Sequence, residues 1–400
     1  MLSKYLFSKE NKKIINLLNP GNKNFTKFVG GCVRKALNKK IDFDIDLASF
    51  LSSQKLREIL QKNNYKIVSF AKRYGTIAVV VGKYKYEIST LRKDIKTYGR
   101  QADIERTENW FLDASRRDFT INAIYVDKYG KIFDPFNGTK DLQNNLVCFI
   151  GDPVQRIKED YLRAIRFIRF SLEYRSLKAN RKIFLILKKN LKNIRKLSSE
   201  RLYNELKKIF KLKNSFDILK NKEFIFIIKK VYNLDFFNSL KKIKFFNTIE
   251  LNYKIIIATL LIGKKNIIYK FVNFFKISRE DKNYLHLLSQ EFINKKKIDS
   301  KYLKLLIYKY GYKKSNDVLI FLFLKDRILS FSKFKKLLKI LNKLKKLKFP
   351  INGNTFLKIG IKQGPTIGKL IKKYENIWIQ NNFKINIKKT ILEVKGTLPQ

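Results

Sequence analysis

One histidine, two cysteines and six prolines occur in 400 residues, and the first two scarcities each remove a class of chemistry. A single imidazole, His286, leaves no room for a zinc site built on two or more histidines, a His-Asp phosphohydrolase or the usual Ser-His triad. It lies in "NYLHLLSQ", whose apolar spacing predicts an amphipathic helix, so packing or exposure is its expected role. Cys32 and Cys148 stand far apart with no CxxC context, which excludes a redox motif and predicts two buried thiols. Acid is scarce as well: 33 Asp+Glu oppose 88 Lys+Arg, a net charge of +55. Whatever reaction the chain performs has to run on carboxylates, a metal or cations.

Long apolar runs are also missing. The longest, "YKIIIATLLIG" (253 to 263) and "VLIFLFL" (318 to 324), fall short of the ~20 residues that a membrane-spanning helix needs. The start, "MLSKYLFSKENKK", lacks the apolar stretch and small-residue cleavage site of a secretory signal. Together these predict a cytoplasmic protein with no membrane partner. A surface this basic attracts polyanions, nucleic acid first. Genomic base bias is a second source of lysine, since Lys, Asn, Ile, Phe and Tyr abound; that acids were not added in proportion favours binding.

Glycines and short alternating strands concentrate in the first 150 residues. "KFVGG" reads as a strand entering a tight turn, "CVRKAL" as a helix, and "DFDIDLA" as the next strand. "SQKLREILQKNN" predicts a helix capped by Ser52 or Ser53. "TIAVVV", "GK" and "YKYEIST" form a hairpin pattern, and "IYVDKYGKIFDPF" a second around Tyr129-Gly130. From about residue 153, apolar residues recur at three and four, as in "EDYLRAIRFIRFSLEY" and "SSERLYNELKKIFKL". Gly364-Pro365 predicts a turn into a late helix. The expected architecture is a mixed-sheet α/β domain over residues 1–152, a helical segment over 153–215, and further helices over 216–400.

Acids that are so rare overall cluster in "IDFDIDLASF" (41 to 50). Period-two geometry sends Asp42, Asp44 and Asp46 to one face of a strand and Phe43, Ile45 and Leu47 to the core side. Neighbouring carboxylates repel unless a cation lies between them, and Asp-x-Asp on a rigid strand can direct two oxygens to Mg²⁺. A solvated strand face is the plain alternative. Upstream, "FVGGCVR" (28 to 34) lets the backbone of Gly30 and Gly31 approach a phosphate beside Arg34. Alternation in "YKYEIS" places Glu87 on the face of Lys85, where a third acid can join from a neighbouring strand. "SRRDFTINAI" offers adjacent arginines and an aspartate for phosphate or ribose, or a capped helix with a salt bridge. In "EDYLRAIRFIRF" Asp160, Arg163, Arg166 and Arg169 step by three along the expected helix. Asp160 with Arg163 sets acceptors beside a planar donor fork, as reading a base edge requires, or else forms an intrahelical ion pair.

Six segments in order, "FVGGCVRKAL…DIDLAS", "EISTLRKD", "RRDFTINAIYVD", "DPFNGTKDL", "GDPVQRIKEDYLRAIRFIRF" and "LSSERLYNELKKI", resemble the class II tRNA nucleotidyltransferase and bacterial poly(A) polymerase family, within the polymerase-β-like nucleotidyltransferases. The resemblance spans residues 25 to 212. It implies an α/β nucleotidyltransferase head with a mixed sheet, followed by an all-α neck, body and tail. By this similarity, Asp44 and Asp46 bind two catalytic Mg²⁺ ions, Glu87 is the third acid near the primer hydroxyl, and Asp42 falls outside the motif. Gly31 and Arg34 contact the triphosphate, and Arg117 with Asp118 falls where the family holds ribose and phosphate. Asp160 and Arg163 pair with the Watson–Crick edge of CTP or ATP, and Arg166 and Arg169 continue that motif.

The resemblance also implies the reaction: addition of C, C and A to the 3′ end of tRNA from CTP and ATP, with release of pyrophosphate and no DNA partner. A poly(A) polymerase, an enzyme adding only A or only C, and a non-catalytic RNA-binding protein are the alternatives. The chain departs from the family pattern where Lys35 replaces the aspartate that usually follows the arginine, which predicts a looser Arg34. Asn38-Lys39 replaces the usual Leu-Gly, and Tyr74 stands where many relatives have histidine.

Overall fold

The computed structural model describes residues 3–71, 75–98, 101–176, 181–234, 242, 245, 251–261, 267–294, 297–328, 330–344 and 347–396; Tyr74 lies outside them. The chain divides into two compact units, Met1–Asn233 and Leu234–Gln400.

The first unit is built on strands β1 (Thr26–Val29), β2 (Asp44–Ser49), β3 (Ile67–Ala71), β4 (Thr76–Val81) and β5 (Tyr84–Thr90), a separate ribbon of β6 (Arg92–Tyr98) and β7 (Gln101–Arg106), and the short β8 (Tyr125–Val126) and β9 (Ile132–Phe133). Seven of them form one sheet in the order β3-β4-β5-β2-β1-β8-β9. Strands β2 and β5 are parallel, and the other neighbours are antiparallel. Both expected hairpins form: β4 turns into β5 through Gly82, whose φ is +58°, and β8 pairs with β9.

One face of the sheet carries the main core, in which Phe28, Ile45, Leu47, Ile77, Val79, Tyr86 and Ile88 pack against Leu56 and Leu60. Those two leucines project from the helix Ser53–Lys62, capped by Ser52, whose side chain accepts the Lys55 N–H. Ala48 leads the other face, where it packs with Val29, Leu91, Ala114 and Tyr125. The aspartates of β2 lie on that second face, one or two pleats from Ala48.

Alternation misplaces one residue at the start of this strand, Phe43. Strand β2 begins at Asp44, and Asp42, just before it, keeps the side of Asp46, since one carboxylate oxygen of each lies beside Gly31; Asp42 is buried, takes the Lys35 ammonium at 2.8 Å, and accepts the N–H groups of Phe43 and Asp44. Phe43 is 45 % exposed instead of in the core. It leans on Tyr84 and lies under the Lys83 ammonium. Cys148 also departs from expectation, being half-buried; Cys32 is fully buried, and burial pushes the Cys32 thiol up to about 12.

Past the sheet, the first unit continues into helices Pro153–Glu159, Leu162–Glu173 and Ser199–Phe210. An aromatic cluster joins them to the head: Phe119 lies 5.4 Å from Phe170, and Phe149 stacks on Phe167 at 5.5 Å between ring centroids. The expected single helix over "EDYLRAIRFIRF" is instead two, broken at Asp160, which is extended at φ −148° and ends the first. Asp160 therefore does not share a helical stripe with Arg163, Arg166 and Arg169.

The described part of the second unit is helical. Tyr253–Leu261 is mostly apolar and buried, Lys254 in it pairing with Glu280 and Asp281, and His286 lies in Arg279–Ile293 as expected. Ser300–Leu324 is interrupted at Gly311, whose φ of 74° no regular helix contains. Pro365–Gln380 follows the expected turn and packs through Tyr374 on Phe356 in a smaller core. No described helix is long and apolar enough to cross a membrane.

Candidate active site

A cleft of about 550 Å³ opens in the first unit, lined by Gly30, Gly31, Asp46, Asp118, Asn122, Asp160 and eight arginines. Gly30 lies at its floor with φ +71°, a conformation that side-chain-bearing residues rarely adopt. Beside the glycines stands Asp46, and the parallel pairing of β2 with β5 sets Asp46 opposite Glu87 and Asp44 opposite Lys85. The expected three-acid face of Asp44, Asp46 and Glu87 thus exists. Burial, and then the nearby Glu87, push the Asp46 carboxyl up to about 6.

No described side chain hydrogen-bonds or ion-pairs with the carboxylates of Asp44 or Asp46, whereas Glu87 takes the Lys85 ammonium at 2.6 Å. Two aspartates left without an ion pair among the described residues, in a chain of net charge +55, fit a divalent cation. Among the described residues no three His, Cys, Asp or Glu side chains converge tightly enough to hold a metal alone. A set of two aspartates suits a cation that completes its shell with phosphate oxygens and water.

Arg34, expected to meet phosphate, is fixed by three contacts. Its guanidinium donates to the Tyr174 hydroxyl at 3.0 Å and to the Asn122 side-chain oxygen, and lies over the Phe170 ring. Lys35 does not loosen it, because Lys35 turns away to Asp42. Asn122 donates in turn to Asp118 at 2.6 Å, and Asp118 accepts Arg166 Nε, also at 2.6 Å. Arg166 lies over Phe170 as well, which closes a ring from Arg34 through Asn122, Asp118, Arg166 and Phe170 back to Arg34. Burial raises the Asp118 carboxyl, but Arg166 and Asn122 outweigh it and bring it down to about 2. Asp118 is thus a strut between the head and the helix Leu162–Glu173, with both carboxylate oxygens engaged.

Arg117 donates to Asp113 at 2.9 Å and to the Tyr125 hydroxyl, and Arg116 donates to the same Asp113 at 2.6 Å. Asp113 is fully buried. Burial alone would raise its carboxyl, yet Arg117, Arg116 and Tyr125 hold it well below the usual carboxylate range. Sequence reasoning missed Asp113, although its spacing of three and four before the arginines is the helical ion-pair pattern.

At the other end of the cleft Asp160 and Arg163 do not pair. Asp160 accepts Arg201 at 2.6 Å and the Leu162 N–H. Arg163 donates to Glu159 at 2.6 Å and to the Arg156 carbonyl. Arg169 donates to Glu205 at 2.7 Å and covers Phe170. Arg92, Arg116 and Arg201 also line the cleft; they were missed as site residues, although each lies inside one of the six quoted segments.

The basic cleft ends on a strand Asp-x-Asp beside a glycine turn. Residues 26–148 match the poly A polymerase head domain. The chain is 28 % identical over 412 residues to mitochondrial CCA tRNA nucleotidyltransferase 1 of Mus musculus, an alignment that covers 98 % of this chain and 88 % of that one. It is 28 % identical over 389 residues to the CCA-adding enzyme of Staphylococcus saprophyticus, covering 91 % and 93 %. In fold it is similar to the Bacillus stearothermophilus CCA-adding enzyme in complex with CTP, with a TM-score of 0.69 at 20 % identity over 97 % of this chain and 98 % of that one. The Thermotoga maritima CCA-adding enzyme complexed with tRNA gives 0.61 at 20 % identity over 100 % and 98 %. The chain is thus similar to CCA-adding enzymes over nearly its whole length, and its residues 26–148 match a poly A polymerase head domain.

Proposed function

We propose that this protein adds C, C and A to the 3′ end of tRNA from CTP and ATP, without a nucleic-acid template, and releases pyrophosphate. The carrying observation is one cleft bounded at one end by Asp46 and the glycine turn and at the other by Asp160 and Arg163. A triphosphate and a base edge can therefore be engaged at once. Relatives named for CCA addition match over nearly the whole chain.

In this reading Asp44 and Asp46, with Glu87 beside them, would hold two Mg²⁺ ions, which when bound would supply a lower pKa for the tRNA 3′-hydroxyl and positive charge for the departing pyrophosphate. Gly31 and Arg34 receive the triphosphate, with Arg34 aimed by Tyr174 and Asn122. Arg117, steadied by Asp113, meets phosphate or ribose, while Asp118 positions Arg166. Asp160 presents acceptors and Arg163 donors to the base edge, and Arg166 and Arg169 form the wall beneath. Protein groups then take the part of a template, because cytosine and adenine each offer one exocyclic amine to an acceptor and one ring nitrogen to a donor. The cytoplasmic location expected from the sequence belongs to the same proposal, since the substrate is tRNA.

The test offers purified protein tRNAs ending before CCA, after C and after CC, with Mg²⁺ and each nucleotide alone or together. Ordered addition of C, C and A that then stops is the expected result. Long A tails on varied RNA would make it a poly(A) polymerase, and tRNA binding without incorporation a non-catalytic RNA-binding protein.

A further inference from the structure

Lys85 stands among the acids of the candidate metal face. It projects from β5 directly across from Asp44, and its ammonium lies 2.6 Å from a Glu87 oxygen. Parallel pairing sends Asp44, Asp46, Lys85 and Glu87 to the same side of the sheet. Three carboxylates thus share a face with one lysine, which contacts one of them while the other two have no ion pair among the described residues. We propose that Lys85 is a built-in counter-ion of this face, competing with divalent cations for the Asp44, Asp46 and Glu87 carboxylates, so that it sets the cation concentration at which the site fills.

Carboxylates one pleat or one strand apart repel, and an ammonium among them relieves part of that repulsion before a metal arrives. A cation entering the same space has either to displace the ammonium or to tolerate it. Displacement is feasible because the pair is exposed, at 48 % for the lysine and 47 % for the glutamate side chain, and exposed ion pairs are weak. The ammonium can swing to solvent on its four-carbon stem without disturbing the core, since Tyr86 and Tyr84, on the opposite face of β5, supply its packing. Lys83 is a local control. It occupies the turn between β4 and β5 and lies over the Phe43 and Tyr84 rings, away from the acids.

This inference rests on the metal-binding reading of Asp44 and Asp46, and its test separates the two. Binding of Mn²⁺ to the full-length protein, without nucleotide or RNA, is titrated by electron paramagnetic resonance of the free ion. Lys85→Ala is expected to lower the Mn²⁺ Kd about three- to tenfold, Lys85→Arg to return it towards the wild-type value, and Lys83→Ala to leave it unchanged. An unchanged or weaker affinity in Lys85→Ala overturns the counter-ion role. So does equal tightening in Lys83→Ala, which reduces the effect to overall charge. Asp44→Ala separates the readings: if it leaves wild-type Mn²⁺ binding intact, the metal assignment itself falls, and Lys85 with it.

Discussion

Arg201 donates to Asp160 at 2.6 Å across 41 positions of sequence. The residue expected to read the base is therefore held from a different helix, Ser199–Phe210. Arg201→Ala removes that hold and leaves the Asp160 acceptors free to rotate. The expected outcome is a loss of CTP over ATP discrimination of about tenfold on tRNA ending before CCA, read as the ratio of the two kcat/KM values. Because Arg201 acts through Asp160, the double variant with Asp160→Ala should be no worse than Asp160→Ala alone. Additive losses would show that Arg201 contacts the nucleotide independently.

Asn122 gives a contrasting prediction. It accepts from Arg34 and donates to Asp118, so it serves the phosphate end of the cleft and touches neither Asp160 nor Arg163. Asn122→Ala should lower kcat/KM for CTP and ATP alike, by about ten- to a hundredfold, with their ratio unchanged. A shift in that ratio would place Asn122 in base selection. Tyr174→Phe, which deletes only the hydroxyl held by Arg34, should produce a smaller effect in the same direction.

These two residues mark where the sequence stops being readable. Period-two alternation located Asp44 and Asp46 opposite Ile45 and Leu47, and turn chemistry at Gly82 and Gly130 located both hairpins, because strand geometry and turn conformation are local. The side of Asp42 was legible too, but its burial and its bonds to Lys35 and two backbone N–H groups were not, because they depend on partners that alternation does not name. Asp160 was misplaced because apolar spacing runs on across a helix break; its extended conformation and its bond to Arg201 are tertiary facts. Asp113 was legible in principle, since its distance from Arg116 and Arg117 is a helical spacing. The resemblance supplied roles for Arg34 and Asp118, but the ring that links them through Asn122 and Phe170 closes across segments more than 80 positions apart.

Asp118 links the site to stability. Its carboxyl falls from the usual 3.8 to about 2 in the folded protein, so the folded state binds fewer protons than the unfolded one between those values. Ionised Asp118 therefore stabilises the fold fully above pH ~4, by on the order of 2 kcal/mol, and that contribution is lost as pH falls towards ~2. Asp118→Asn should be less stable than wild type at pH 7 by about that amount in urea unfolding. The gap should narrow at pH 3, and a gap independent of pH would refute the linkage.

Asp44→Ala separates chemistry from docking. Asp44 is exposed, contributes no buried packing and accepts no side-chain hydrogen bond from a described residue, so its loss should leave the melting temperature within about 1 °C of wild type. Nucleotide incorporation should fall by about a thousandfold or more, since one aspartate cannot hold both ions. Binding of tRNA should persist, and it should weaken with salt along the wild-type slope, because that slope counts phosphates neutralised by Lys and Arg and the substitution removes neither. Loss of a negative charge can only favour a polyanion, so affinity at low salt should equal or slightly exceed wild type. Incorporation at the wild-type rate would overturn the metal assignment, and a flattened salt slope would mean that Asp44 organises RNA contacts as well as chemistry.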